Sequence, residues 1–148
     1  MPIQKSRIIA AMILFSAFHL ASAWAETKTI DGLAVRMGIV PAEQASQAPG
    51  ELQTHHRIPK SKSAQHLVVS LANAGNGERF EDAKVSVEVK NPLGQIQKKT
   101  LLHVAPAGPS NYGEYFRFDA SGQYLITVFV LKPGQGEPFE AIFSENVP

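Results

Sequence analysis

The chain has 148 residues, within the usual size of a single domain, and its 14 Lys and Arg nearly balance its 13 Asp and Glu. This balance argues against a nucleic-acid-binding protein, which typically has a strongly basic face. The chain has no cysteine, which excludes disulfides, thiolate metal sites, a cysteine nucleophile and a lipid attached to an N-terminal cysteine.

The N-terminus has the three parts of a secretory signal peptide. A basic start is followed by an apolar run over residues 8–21, and Ala23 and Ala25 form an A-x-A cleavage site. Because the run is shorter than the ~20 residues that cross a bilayer, the sequence predicts a cleaved signal peptide, 1–25, and a protein that is not membrane-embedded. Residues 26–148 are predicted to form a single domain in the periplasm of a Gram-negative bacterium, or in a secreted protein.

Short strands are predicted along the rest of the chain. Apolar residues alternate with polar ones, or β-branched residues cluster, in about seven segments, which cover residues 31–40, 66–73, 84–90, 95–103, 112–118, 123–131 and 139–144. Residues 41–65 are rich in Gln, Ser, Ala, Pro and Lys and predict a long irregular loop. Residues 91–94, Asn-Pro-Leu-Gly, predict a hairpin turn.

Strands without a convincing helical period predict an all-β fold, an immunoglobulin-like antiparallel β-sandwich of about seven strands. Tyr124 follows a glycine turn at the start of a strand, which is the position of a tyrosine corner. An ordinary strand tyrosine is the alternative interpretation. The alternation predicts a buried set that consists of Val85, Val87, Val89, Tyr124, Ile126, Val128 and Val130.

The common catalytic motifs are absent from the sequence. It contains no nucleophile elbow, zinc-protease motif, P-loop, dinucleotide fingerprint or EF-hand loop. Glu81 and Asp82 are adjacent carboxylates, but neighbouring side chains diverge in strands and turns, and a solvated turn explains the pair. We therefore predict that the protein is not an enzyme.

Four histidines follow the predicted signal peptide: His55, His56, His66 and His103. Neutral imidazole is a good ligand for copper and zinc. Because His55 and His56 are adjacent, an extended backbone would bring only one of them to a site. His66 and His103, which we expect at strand edges, could meet the long loop at one end of the sandwich.

Basic residues close to these histidines favour two other interpretations. Arg57, Lys60 and Lys62 produce a positive field that opposes a bound cation, so a solvated basic loop is one alternative. A site for an anion or a partner is the other, formed by the same three residues with Lys98 and Lys99.

Four short segments and the histidine-bearing loop resemble those of a known family. They are residues 38–43 (GIVPAE), the histidine-bearing loop, 66–71 (HLVVSL), 82–85 (DAKV) and 111–116 (NYGEYF). This combination resembles small exported sandwich domains of the YtkA-like kind, which are similar to CopC-type copper proteins. The resemblance implies metal handling, with metal-facing side chains at His56, His66 and His103. Met37 is the only methionine after the predicted signal, which disfavours Cu(I) more than Cu(II) or zinc.

These observations predict a non-enzymatic periplasmic binding protein for a copper or zinc ion. The alternative is an envelope interaction module, in which an edge strand or the 41–65 loop contacts a membrane or envelope protein partner and no small ligand is bound.

Overall fold

Nine strands and one short helix make up the part of the chain that the computed structural model describes, residues 26–45, 59–104 and 111–148. They are β1 (Glu26–Ile30), β2 (Leu33–Pro41), α1 (Ala42–Ala45), β3 (Ala64–Asn73), β4 (Lys84–Lys90), β5 (Ile96–Thr100), β6 (Leu102–Val104), β7 (Asn111–Arg117), β8 (Gly122–Leu131) and β9 (Phe139–Val147). The predicted signal peptide, His55, His56 and Arg57 lie outside the described residues. Within the described ranges, no helix has the length and apolar character needed to cross a membrane.

The strands form two antiparallel sheets. The first sheet has the order β1-β2-β3-β7-β6 and the second has the order β5-β4-β8-β9. Their apolar faces share one buried cluster, to which both sheets contribute. The predicted antiparallel β-sandwich is confirmed.

The core of the sandwich follows from the period-two alternation of its strands. All seven residues of the predicted buried set, on β4 and β8, are at most 1% exposed. In the first sheet, the side chains of Val35, Leu67 and Val69 meet them from the other side. Because a shift by one residue would move a whole row to solvent, this alternation also fixes the pairing register.

A first strand and its turn were not predicted. The alternation predicts a strand that begins at Asp31. Instead, Asp31 and Gly32 form a turn with φ values of 50° and 74°. This turn joins β1 to β2, and the two strands pair in an antiparallel hairpin. Positive φ at both positions is typical of a two-residue hairpin turn, and Asp-Gly is a preferred sequence for it. The sequence analysis missed β1 because this edge strand, Glu-Thr-Lys-Thr-Ile, is mostly polar.

The prediction of one strand over 95–103 is also wrong. The chain pairs with β4 through β5, breaks at Leu101 and continues as β6 beside β7 in the other sheet. The Leu101 amide still donates to the Val85 carbonyl oxygen at 2.9 Å, and its side chain is buried. One segment therefore passes from one sheet to the other, which is a common way to form a corner in sandwiches.

Two tyrosine hydroxyls bind backbone next to the strands. The Tyr124 hydroxyl accepts a hydrogen bond at 2.9 Å from the amide of Ala120, four residues upstream. This is the contact that the tyrosine-corner interpretation predicts. The Tyr112 hydroxyl donates to the Glu81 carbonyl oxygen and accepts from the Ala83 amide at 3.3 Å.

Candidate metal centre

A second, smaller apolar cluster lies on the outer face of the first sheet. It contains Ala42 and Ala45 of α1, Ala64 of β3 and Tyr115 of β7, with Val40 packed against it. Pro41 lacks the amide that a ladder needs, so β2 ends there and the chain turns into α1. The sequence analysis assigned residues 41–65 to a loop because a helix of one turn is too short to show a helical period.

His66 lies in this outer cluster. It is 1% exposed, and its cross-strand neighbours are Val40 on β2 and Tyr115 on β7. The His66 and Tyr115 ring centroids are 4.8 Å apart, with an angle of 52° between the ring planes. The expectation that His66 lies at a strand edge is wrong, because β3 begins at Ala64 and runs between two other strands.

Tyr115 provides a neutral aromatic wall beside His66. Burial raises the pKa of its phenol, and the nearby negative charge of Glu114 raises it further. The phenol therefore keeps its proton at neutral pH. Tyr115 was not predicted as a site residue, although the alternation along β7 places it on the face opposite to Tyr112 and Phe116.

His103 lies on the other face of the same sheet. It is exposed on β6 and pairs with Tyr112, a residue of the main core. The two ring centroids are 5.2 Å apart in an edge-on arrangement. Residues that pair across strands share a face of the sheet, and His66 pairs with Tyr115 whereas His103 pairs with Tyr112. Because Tyr112 and Tyr115 are three positions apart on β7, they face opposite sides, and so do the two histidines.

The described residues contribute single histidines rather than a complete ligand set. Across residues 26–45, 59–104 and 111–148, no group of three His, Asp or Glu side chains could hold a metal ion. His55 and His56, the other two histidines of the predicted site region, lie outside these ranges. In the sequence they lie between Ala45 and Ala64, and both alanines belong to the cluster around His66. Participation of His56, His66 and His103 in one site stays a prediction.

The lysines of the alternative anion site divide between different surfaces. Lys60 and Lys62 are exposed just before β3. On β5, the Lys98 Nζ is 4.7 Å from the Phe129 ring centroid and 3.8 Å from Glu88 Oε2. Lys99 points towards the opposite face and donates to the Tyr115 carbonyl oxygen at 2.7 Å. Lys98 and Lys99 therefore do not act on one ligand together.

Comparison with solved structures shows which proteins share this fold. FetP from uropathogenic Escherichia coli strain F11, expressed in the periplasm of E. coli, is 15% identical with a TM-score of 0.66, covering 83% of this chain and 94% of its own. Copper-reconstituted P19 from Campylobacter jejuni is 18% identical with a TM-score of 0.62, covering 82% and 92%. A DUF4426 family protein from Pseudomonas aeruginosa is 15% identical with a TM-score of 0.69, covering 83% and 94%.

These likenesses extend over most of both chains in each pair. A FetP variant with bound copper also matches, at 15% identity and a TM-score of 0.64. No family model matches the chain, and no curated protein matches it significantly. At these identities the comparisons establish the fold: a two-sheet sandwich that this chain shares with FetP, P19 and the DUF4426 protein.

Proposed function

We propose that the chain is an exported, non-enzymatic protein of the periplasm that binds a copper or zinc ion. The observation that carries this proposal is the fold shared with copper-bound P19 and FetP over more than four-fifths of this chain. FetP expressed in the periplasm supports the compartment, together with the predicted signal peptide.

The proposed site combines His66 of β3 with His56. His66 is already buried and its ring packs against Tyr115, so the sheet would fix its ring before an ion arrives. His56 belongs to the stretch that joins α1 to β3 and would close over it. His103 lies across the sheet from His66, so its participation as a third ligand is tested separately.

The ligand chemistry favours Cu(II) or zinc over Cu(I). Met37 is buried in the main core at 3% exposure and is not available as a soft thioether ligand. Imidazole nitrogens suit Cu(II) and zinc, and they bind only when neutral. Binding should therefore weaken as the pH falls through about 6.5, where free imidazole takes up a proton.

Metal analysis and calorimetry test the proposal. We expect copper or zinc in natively purified protein and saturable heat when the metal-free protein is titrated with Cu(II) or Zn(II). His56→Ala and His66→Gln should each weaken binding at least about tenfold, because loss of a residue that only supports a metal ligand already costs about 10–100-fold in affinity. His66→Gln is used because alanine would leave a cavity in the buried cluster.

His55→Ala is the matched control and should leave the affinity unchanged, because its side chain would point away from that of His56. A loss of affinity in His103→Ala would include His103 in the ligand set, and an unchanged affinity would remove it. Absence of metal in the purified protein and of saturable heat with both ions would contradict the proposal.

An envelope interaction module is the second candidate, and the outer face of the second sheet favours it. Ile96, Leu125 and Ile142 are 55%, 45% and 47% exposed there, on β5, β8 and β9. A contiguous exposed apolar patch is typical of protein contacts, and these three residues come from three strands of one sheet. If this candidate is correct, the protein binds no metal. Changing these three residues to Thr should then abolish the contact with the partner and leave the fold unchanged.

A further inference from the structure

A second pocket lies on the outer face of the first sheet, at the end of β3 remote from His66. It has a volume of about 370 Å³, and its lining includes Ala34, Arg36, Ser70, Ala72 and Arg79. This volume is within the range of small-molecule sites. Ser70 follows His66 by four residues on β3, about 13 Å at the usual rise of a strand, so the pocket is separate from the candidate metal centre.

Strand register places the two arginines on either side of β3. Arg36 of β2 is the cross-strand partner of Ser70, and Arg79 is the bridge partner of Ala72. Ser70 and Ala72 share one face and lie about 7 Å apart. The neighbours of these residues, Val69 and Leu71, point into the main core, so the small side chains and both arginines face outwards.

Small side chains form the floor between the arginines. Ala34 pairs with Ala72 and lies in the same row as Arg79. A floor of two alanines and a serine leaves room above the sheet, and the Ser70 hydroxyl adds a hydrogen-bond donor. Two long side chains that reach over such a floor from opposite sides can contact one small ligand.

The backbone that carries each arginine is held in place. The Asn73 amide donates to the Glu78 carbonyl oxygen at 2.7 Å, and the Phe80 amide donates to the Leu71 carbonyl oxygen at 3.0 Å. These bonds fix the segment around Arg79 beside β3. Arg36 lies within β2, which pairs with β1 on one side and β3 on the other. Little backbone ordering would accompany binding.

The charge of the pocket selects for an anion. Its lining contains two guanidinium groups and no carboxylate. Five other basic residues have a carboxylate oxygen within 4.0 Å: Lys28, Lys98, Lys99, Arg117 and Lys132. In the described part of the chain, Arg36 has no such contact. A guanidinium group matches the geometry of carboxylate and phosphate by donating two parallel hydrogen bonds.

We propose that this pocket binds a small oxyanion, a carboxylate or a phosphate, between Arg36 and Arg79 and above Ser70 and Ala72. The site does not include the lysines near the histidine loop, and it does not depend on metal binding. A protein that fails to bind copper or zinc could still bind the oxyanion, and the reverse is equally possible.

A nuclear magnetic resonance titration of the purified chain tests this site. Sodium phosphate and sodium succinate are added in separate titrations, with sodium chloride adjusted to hold the ionic strength constant. We expect saturable shifts of the Ser70, Ala72 and Arg79 amides and of the Arg36 Nε–H. Saturation by phosphate alone, by succinate alone or by both supports the site and identifies the ligand chemistry.

Variants separate this site from general attraction to positive charge. Arg36→Gln should weaken binding at least about tenfold, because hydrogen bonds to a charged group are lost. Arg117→Gln removes the same charge from an exposed position on β7 and should have no effect. Ala72→Leu keeps both charges, fills the floor and should abolish binding; its amide spectrum shows whether the fold is retained.

The proposal is overturned if neither anion gives saturable shifts, or if the shifts spread over all basic residues. It is also overturned if Arg117→Gln weakens binding as much as Arg36→Gln does. A folded Ala72→Leu protein with unchanged affinity would exclude the floor as the binding surface.

Discussion

Tyr124 and Tyr112 have similar chemistry at different places in the sandwich. The Tyr124 side chain is fully buried on β8, and its hydroxyl accepts from the Ala120 amide. Tyr112 on β7 accepts from Ala83 and donates to Glu81, both in the segment before β4. Burial raises the pKa of the Tyr112 phenol, which keeps the proton that it donates. Each hydroxyl thus fixes an irregular segment against a strand.

Removal of these hydroxyls tests their contribution to stability. Tyr124→Phe should lower the free energy of unfolding by about 1 kcal/mol, the usual net value of one hydrogen bond. Tyr112→Phe should lower it by about 1–2 kcal/mol, because both a donor and an acceptor are lost. Urea unfolding provides the measurement. An unchanged midpoint for Tyr124→Phe would contradict a stabilising tyrosine corner.

At the residue scale, much of the site chemistry was accessible to sequence analysis but its placement was not. The alternation correctly predicts the buried rows of β4 and β8, and the glycine turn before Tyr124 predicts its backbone contact. The burial of His66 could not be predicted, because its neighbours Val40 and Tyr115 come from two other strands. A histidine followed by apolar residues reads equally well as the exposed start of a strand.

The short length of β6 has a consequence for its neighbour β7. β6 pairs only with Asn111, Tyr112 and Gly113, so the rest of β7 continues beyond it. Side chains from β5, in the other sheet, reach this free edge. The Gln97 amide group donates to the Arg117 carbonyl oxygen at 2.8 Å and accepts from the Arg117 amide at 3.0 Å. β5 therefore protects backbone groups that could otherwise pair with another chain.

Loss of the Gln97 side chain should weaken this edge. We expect Gln97→Ala to lower the free energy of unfolding by about 1 kcal/mol, since two partly solvated hydrogen bonds are replaced by bonds to water. Gln123→Ala removes the same kind of side chain from an exposed position on β8 and should have little effect. Equal destabilisation by the two variants in urea unfolding would show that the contact with Arg117 contributes nothing specific.

The two sheets are also connected at the end of the molecule that holds the first turn. Lys132, directly after β8, donates to the side chain and the carbonyl oxygen of Asp31, both at 2.9 Å. The pKa of Asp31 is lowered below 3.8, and the hydrogen bond from Lys132 is the largest cause. The positive charge of Lys132 and a hydrogen bond from Gln135 lower it further. The first hairpin of one sheet is thus joined to the last strands of the other.

This contact predicts a specific dependence of stability on pH. A lowered pKa in the folded state stabilises the protein above the ordinary pKa, and this contribution is lost as the pH falls through the folded value. Asp31→Asn keeps a residue that tolerates positive φ but removes the charge. The variant should unfold at lower urea than the unchanged chain at pH 7, and the difference should disappear near pH 2.

High salt should reduce the difference at pH 7, because the carboxylate is solvent-exposed. Asp82→Asn is the matched control: it lies in an exposed turn and has no basic partner within 4 Å among the described residues. A difference between Asp31→Asn and the unchanged chain that persists at pH 2 would contradict the electrostatic explanation.

Features that depend on residues close together in the chain could be predicted without the fold. Period-two alternation established an all-β sandwich and its core rows, and the residues of the 91–94 turn specified a hairpin, in which Asn91 Oδ1 accepts from the Gln95 amide at 2.8 Å. Asp31-Gly32 also carried a local turn signal, although the polar character of β1 concealed the strand before it.

Features that depend on which strands become neighbours required the folded structure. The passage between sheets at Leu101 depends on which strands lie beside the segment, and the sequence predicted a single strand over 95–103. The opposite faces of His66 and His103 follow from their different partners on β7. Arg36 and Arg79 line one pocket because β3 lies between them, and pairing between distant strands is a property of the whole fold that no short stretch of sequence contains.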